Sequence, residues 1–188
     1  TGSIHCPGWT EELVLAYGKA FVTNETRDKV YVIDTGTDQI TDSITVSMGG
    51  NSIVTDANGK LWVMCSSASS KLYRIDPVSM QVEASFAFPN SSDSPWRLNI
   101  NSSNDTLYYL NTDVYRMPIN ASALPSTSFV TANGRNLYGI GIEPNSGVVY
   151  VSDAIDYVQR GTVYRYKPDG SLINSFQAGI IPGDFCFQ

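Results

Sequence analysis

Apolar and polar positions alternate along this chain in short runs, each closed by a cluster of Gly, Pro, Asn, Asp or Ser. Period-two alternation places successive side chains on opposite faces of an extended chain, so these runs read as β-strands with turns between them. Four runs open with a small or branched apolar residue followed by an aromatic one: Ala20-Phe21-Val22, Leu61-Trp62-Val63, Leu107-Tyr108-Tyr109 and Val149-Tyr150-Val151. Each is followed by a second run of the form Val/Leu-Tyr-x-apolar, with tyrosines at Tyr31, Tyr73, Tyr115 and Tyr164. The two series recur with nearly the same period. The aromatics are 41, 46 and 42 residues apart and the tyrosines 42, 42 and 49.

A turn cluster follows each tyrosine run, and a third, more variable apolar run follows the turn, at 39–46, 81–88, 126–131 and 171–178. Before each aromatic run lies another apolar stretch (12–16, 52–55, 98–100, 139–142) ending in a tip such as Asn58-Gly59 or Asn104-Asp105, a strong hairpin signal. One period thus holds four antiparallel strands, A to D. A repeated four-stranded meander of this length is the signature of a β-propeller blade. The expected architecture is all-β: blades over about 9–48, 50–90, 95–131 and 137–179, then a closing strand at 181–188 with the apolar character of an A strand. Five A-type strands against four sets of B, C and D imply that N-terminal blades lie outside this chain, or that another chain meets its open blade edges.

Composition narrows the chemistry. Hydrophobic residues make up 42% and charged residues 16%, and tyrosine (eleven residues) outnumbers tryptophan and phenylalanine. The formal charge of −6 with no basic stripe argues against nucleic acid. No apolar run is long enough to span a bilayer as a helix, and residues 1–8 lack the charged and apolar regions of a signal peptide. Cys6, Cys65 and Cys186 lie far apart with no CxxC pair and read as small buried thiols.

With the blades aligned, the residues opening each A strand are Thr10, Asn51, Arg97, Tyr138 and Asp184, spaced 41, 46, 41 and 46 residues apart. A strands line a propeller's channel, so these five are expected to ring one mouth, with Trp9, Trp96 and Leu137 beside them. The B–C loops open on the same side, and the longest, 153–161, brings Asp156, Tyr157 and Arg160. Aromatic, Arg, Asn and Asp side chains together suit a sizeable polar ligand or a protein partner. Packing over the inter-blade core is the plainer role for either tryptophan. Asp184, Asn51 and Asn99 offer oxygen atoms of the kind Ca²⁺ takes, though solvated turn residues have the same composition, and no metal or cofactor is expected. A catalytic triad or a histidine metal site finds no support: His5 is the only histidine, and no HExxH, GxSxG or phosphate-loop spacing occurs. Arg74, Arg116 and Arg165, each one residue after a C-strand tyrosine, fit a structural role between blades.

The stretch from Lys29 through Val-Tyr-Val-Ile-Asp-Thr-Gly-Thr-Asp-Gln-Ile, the stretch from Ser52 through Ile-Val-Thr-Asp-Ala-Asn-Gly-Lys-Leu-Trp-Val, and Leu72-Tyr-Arg-Ile-Asp-Pro resemble the YncE-like and surface-layer-like propellers. The ending from Gly179 through Ile-Ile-Pro-Gly-Asp-Phe-Cys-Phe resembles that of their Bacteroidetes cell-surface members. WD40 and kelch signatures are absent. The resemblance implies the C-terminal part of a seven-bladed, exported propeller, lipid-anchored at the outer membrane. It also implies a non-catalytic binding function, with capture of a corrinoid of the cobalamin type for a TonB-dependent transporter among the family's roles. A protein-interaction or glycan-binding scaffold is the alternative, and a Ca²⁺-dependent lactonase-like or lyase-like enzyme a further one. The resemblance matches no ligand motif, so the site residues remain Trp9, Thr10, Asn51, Trp96, Arg97, Tyr138, Asp184, Tyr157 and Arg160.

Overall fold

A computed structural model describes residues 2–187. It contains fifteen strands and no helix among those residues. The chain divides into two compact units, residues 1–98 and 99–188. The first unit holds two complete four-stranded antiparallel sheets. Blade 1 is β1 (Thr10–Ala16), β2 (Lys19–Asn24), β3 (Lys29–Asp34) and β4 (Gln39–Thr45); blade 2 is β5 (Gly50–Thr55), β6 (Leu61–Cys65), β7 (Lys71–Asp76) and β8 (Gln81–Ala87). In both, neighbours in sequence are neighbours in the sheet, because two-to-five-residue turns allow only an antiparallel partner.

Burial is graded across each blade. The second strand is closed on both faces: every residue of β6 is buried, as is every residue of β2 after Lys19. The fourth strand is mostly exposed. The aromatic of the second strand therefore sits where packing is densest, and Phe21 and Trp62 are both wholly inaccessible, each contributing roughly 1.5–3 kcal/mol by burial. One core joins the two blades: Val14, Phe21, Val30, Val32, Ile44 and Val46 of blade 1 meet Ile53, Leu61, Val63, Tyr73 and Ile75 of blade 2. Strand β5 lies across β1 and β2.

Strand β9 (Trp96–Ile100) straddles the division and pairs with β10 (Thr106–Asn111), which pairs with β11 (Asp113–Pro118). Blade 4 is β12 (Leu137–Ile142), β13 (Val149–Asp153), β14 (Arg160–Tyr166) and β15 (Leu172–Ile180). Two expectations need correction. The third blade has three strands: the run at 126–131 makes only an isolated bridge, Val130 to Val114. Pro125 removes an amide donor, and Ser126-Thr127-Ser128 carries no apolar alternation to fix a face, so the ladder does not extend. The closing run, over its described part 181–187, forms no ladder either, although it docks on blade 4; Gln188 lies outside the described residues.

The arginine series is structural, and mostly within blades. Arg74 and Arg165 are the ladder partners of Trp62 and Tyr150, and their guanidinium carbons lie 5.8 and 5.2 Å from those rings. Arg116 reaches from blade 3 to the carbonyl of Pro168 in blade 4 at 2.6 Å, and covers Phe129. Of the thiols, Cys65 is buried, and its pKa is pushed up to about 12 by desolvation. Cys6 is half-buried, and Cys186, against the expectation, is exposed. None is in a disulfide.

Candidate functional site

The same irregularity opens the first strand of blades 1, 2 and 4. The ladder jumps from Thr10↔Asn24 to Leu13↔Val22, from Gly50↔Cys65 to Ser52↔Met64, and from Leu137↔Asp153 to Gly139↔Ser152. One extra residue is inserted each time, a β-bulge, which bends the strand and re-aims a side chain. The extra residues are Glu11, Asn51 and Tyr138. At the matching place in blade 3, Arg97 has φ 55°, left-handed backbone that a non-glycine residue adopts at a cost. The bulge frees backbone groups, and a hydroxyl on the second strand takes them up. Thr23 Oγ1 accepts from Glu12 N (3.0 Å) and donates to Glu12 O (3.2 Å), while Ser152 Oγ accepts from Gly139 N (2.8 Å).

In the first unit the bulges border a cleft of about 330 Å³ lined by Glu11, Glu25, Asn51, Ser66, Ser94 and Trp96. Its floor is tied by backbone bonds from Gly49 N to Glu25 O (2.9 Å) and from Ser66 N to Gly49 O (2.8 Å). Gly49 has φ 80°, and a Cβ there would overlap the Ser66 carbonyl, so only glycine serves. Burial pushes the Glu25 carboxyl above its usual range, and the charge of Glu11 adds to the shift. The Asn51 amide is held at both ends, Nδ2 donating to Pro95 O (3.0 Å) and Oδ1 accepting from Ser52 Oγ (2.5 Å). Ser66 and Ser94 hydroxyls meet at 3.0 Å, and the Arg97 guanidinium lies 5.3 Å from the Trp96 ring.

Of the residues expected at the rim, the structure brings Asn51 and Trp96 into this cleft, with Arg97 on the tryptophan. Thr10 opens β1, but Val14 and Val54 are the partners of Phe21 and Trp62, so Glu11 takes the place corresponding to Asn51. Trp9 is exposed, its amide donating to Thr26 Oγ1 (3.0 Å). In the second unit Tyr138 meets Tyr157 edge-on at 5.7 Å, and Arg160 Nε donates to Ala178 O (3.0 Å). The loop carrying Tyr157 holds both Ile155 and Tyr157 at positive φ, with Asp156 accepting from Val158 and Gln159 amides. Asp184 is exposed and accepts from the Phe185 amide. Of the amides considered for Ca²⁺, Asn99 too is engaged at both ends, with Ile140 O and Ile100 N. Glu11 and Glu25 went unnoticed in the sequence. Aligning on Val14 and Val54 instead of on strand beginnings would have found Glu11.

Residues 4–177 match the profile of a family described as a domain of unknown function, DUF5074. The chain belongs to the DUF5074 family. No curated protein matches it. Among solved structures, this DUF5074 chain is similar to hydrazine synthase of Kuenenia stuttgartiensis (15% identity, TM-score 0.61), aligned over 89% of this chain and 61% of that one. It is similar also to the dihydro-heme d1 dehydrogenase NirN in complex with DHE (9%, 0.66), over 92% and 38%. A quinoprotein alcohol dehydrogenase-like protein of Bacteroides thetaiotaomicron aligns at 15% and 0.68, over 89% and 45%. The DUF5074 chain thus spans between about two fifths and three fifths of the length of these structures. The likeness shows the fold: the sheets of this DUF5074 chain are β-propeller blades.

Proposed function

We propose that this domain is a non-catalytic binding module, and that the cleft of Glu11, Glu25, Asn51, Ser66, Ser94 and Trp96 takes part in holding a polar ligand. The observation that carries this reading is the bulged strand openings around one cleft, which turn Glu11 and Asn51 toward the space beside Trp96. Among the described residues neither Glu11 nor Glu25 has a cation within ion-pair distance. Two carboxylates facing each other without a counter-charge favour a ligand rich in N–H or O–H donors.

The resemblance to cell-surface propellers makes a corrinoid the first choice. A corrin ring is fringed with amide donors, and its apolar area suits an indole face. The cleft would hold one edge of such a ligand. In this reading the full-length protein is exported, anchored at the outer membrane, and passes its ligand to a TonB-dependent transporter. A glycan is the second reading, favoured by the same pairing of tryptophan with carboxylates, since sugars stack on aromatics and donate hydroxyl protons. The Ca²⁺-dependent enzyme gains least, because the Asn51 and Asn99 amides are already spent on the protein.

The test is calorimetry of the full-length protein against cobalamin, cobinamide and a panel of oligosaccharides. Corrinoid heat at micromolar concentration, weakened at least tenfold by Trp96→Ala and by Glu25→Ala, supports the first reading. Oligosaccharide heat with the same sensitivity supports the second. Binding unchanged in both variants would move the site away from this cleft.

A further inference from the structure

Where blade 3 gives up its fourth strand, the segment 126–135 borders an open cavity against blade 4. Its volume is about 300 Å³, at the lower end of the range that small-molecule sites occupy. One wall carries Ser128, Phe129, Thr131, Asn133 and Arg135, and the other carries Tyr166 and the turn that leads into β15. Both walls are tied down. Val114 exchanges backbone bonds with Val130 (2.9 and 3.2 Å), and Asp113 Oδ1 accepts from Ala132 N (2.8 Å). The turn is held where Arg116 donates to Pro168 O (2.6 Å). Gly170, at φ 92°, packs so near the Phe129 carbonyl that a Cβ would come within 3.2 Å of it. The cavity is therefore formed before any ligand arrives. Its residues all belong to the second unit, and none of them lines the cleft of Glu11 and Asn51.

Arg135 gives the cavity its chemistry. Its guanidinium carbon lies 4.2 Å from the centre of the Tyr164 ring, and Nη1 donates to the hydroxyl of the buried Tyr166 at 2.7 Å. These two contacts fix the plane of the group. They leave the Nε–Nη2 edge, a parallel pair of N–H donors, uncommitted among the described residues. No carboxylate lies within ion-pair distance of Arg135 among those residues, and none lines the cavity, in a chain with 18 acidic residues against 12 basic ones. Other arginines of the sheets are spent: Arg74 meets Glu83 at 3.2 Å, and Arg116 and Arg160 donate to backbone carbonyls. The side chains of Ser128, Thr131 and Asn133 add hydroxyl and amide groups that bond nothing in the protein among the described residues.

We propose that this cavity is a binding site of its own, which takes the carboxylate of a sugar acid of monosaccharide size. A held guanidinium edge matches a carboxylate through two parallel hydrogen bonds. One cation balances one negative charge, so a carboxylate suits the site better than a doubly charged sulfate or phosphate. The Ser128 and Thr131 hydroxyls and the Asn133 amide meet the sugar's hydroxyl groups, and its C–H face lies against Phe129. The proposal does not depend on what the cleft holds.

Calorimetry of the full-length protein with sodium glucuronate and sodium galacturonate, against glucose and sodium sulfate, tests this. The expected result is that at least one uronate binds at least about tenfold more tightly than glucose or sulfate. Arg135→Gln should weaken that binding by at least about tenfold, the loss of a charged, two-bond contact. Asn133→Asp keeps a residue type that tolerates the φ of 50° at that position and sets a negative charge in the cavity wall. It should weaken uronate binding comparably, and it keeps the test decisive if Arg135→Gln unfolds blade 4. Absence of uronate binding would overturn the proposal, as would glucose or sulfate bound as tightly as the uronates, or uronate binding unchanged in both variants. Uronate binding that is lost in Trp96→Ala and kept in Arg135→Gln would place the sugar acid in the cleft and overturn it equally.

Discussion

Replacing Asp56 with alanine removes an anchor on which the densest part of blade 2 depends. Asp56 is 4% exposed, and its Oδ2 accepts from the indole Nε1 of Trp62 at 2.8 Å. Its Oδ1 accepts from the amides of Asn58 (2.8 Å) and Lys60 (2.9 Å), closing the hairpin between β5 and β6. Water reaches the two turn amides once the carboxylate is gone, but it does not reach the indole of a wholly buried tryptophan. An unsatisfied buried donor costs about 1–3 kcal/mol, and loss of the charge-assisted turn bonds adds about 1 kcal/mol after solvent compensation. Asp56→Ala is therefore expected to destabilise by about 3 kcal/mol, lowering Tm by about 6–12 °C for a chain of this size. Asp56→Asn keeps the Oδ1 acceptor but turns an amide donor toward the indole N–H, and should fall between wild type and alanine. The assay is thermal and urea unfolding followed by far-UV circular dichroism, with Trp62→Phe and the double variant completing a cycle. The reasoning requires a coupling above about 0.5 kcal/mol between the two sites. Additive effects would refute it.

Three further outcomes are expected. Lys60, helped by the Val78 and Ser79 amides, holds Asp76 at about 2, and hydrogen bonds within their turns hold Glu143 and Asp156 at about 2. Each is lowered from its usual value, so its contribution is full above the ordinary carboxylate range and is lost as pH falls through about 2; an acid titration by near-UV circular dichroism should show the loss between about pH 4 and 2. Glu25 has the opposite sign: its raised pKa makes its contribution full below the ordinary glutamate range and lost as pH rises through its own value, so Glu25→Gln should raise Tm at pH 7 and leave it unchanged at pH 3. Thr23→Val, nearly isosteric at a wholly buried position, should cost about 1–3 kcal/mol in urea unfolding, because both bonds to the Glu12 backbone at the bulge are lost.

The repeat was legible because an apolar residue followed by an aromatic recurs in the second strand of each blade, with Phe21, Trp62, Tyr108 and Tyr150 at a near-constant period. Fourteen of the fifteen strands fall within two residues of the expected bounds at each end, and β14, which begins three residues early, is the exception. The third blade's outer strand was misread because apolar content at 126–131 resembles its counterparts while the ladder depends on partners and on Pro125. The bulges were illegible. One inserted residue leaves composition and period almost unchanged, yet shifts every register assignment beyond it. Asn51, Arg97 and Tyr138 stand at equivalent irregular positions of their first strands, whereas Thr10 was chosen where the ladder puts Glu11. Glu25 was not singled out, since its carboxyl is shifted first by burial and then by the charge of Glu11, fourteen residues away, and only folding supplies either.

The gradient of burial from second to fourth strand has an evolutionary consequence. Because β4, β8 and β15 contribute little to the core, their sequences are free to drift, lengthen or dissolve, and the third blade shows that one can be given up without opening the interior. The second strands allow no such licence. Diversification in this lineage should therefore accumulate along the periphery, and affinity tags, fluorophores or inserted domains placed at the β3–β4 or β7–β8 turns should leave both the interior and the cleft undisturbed.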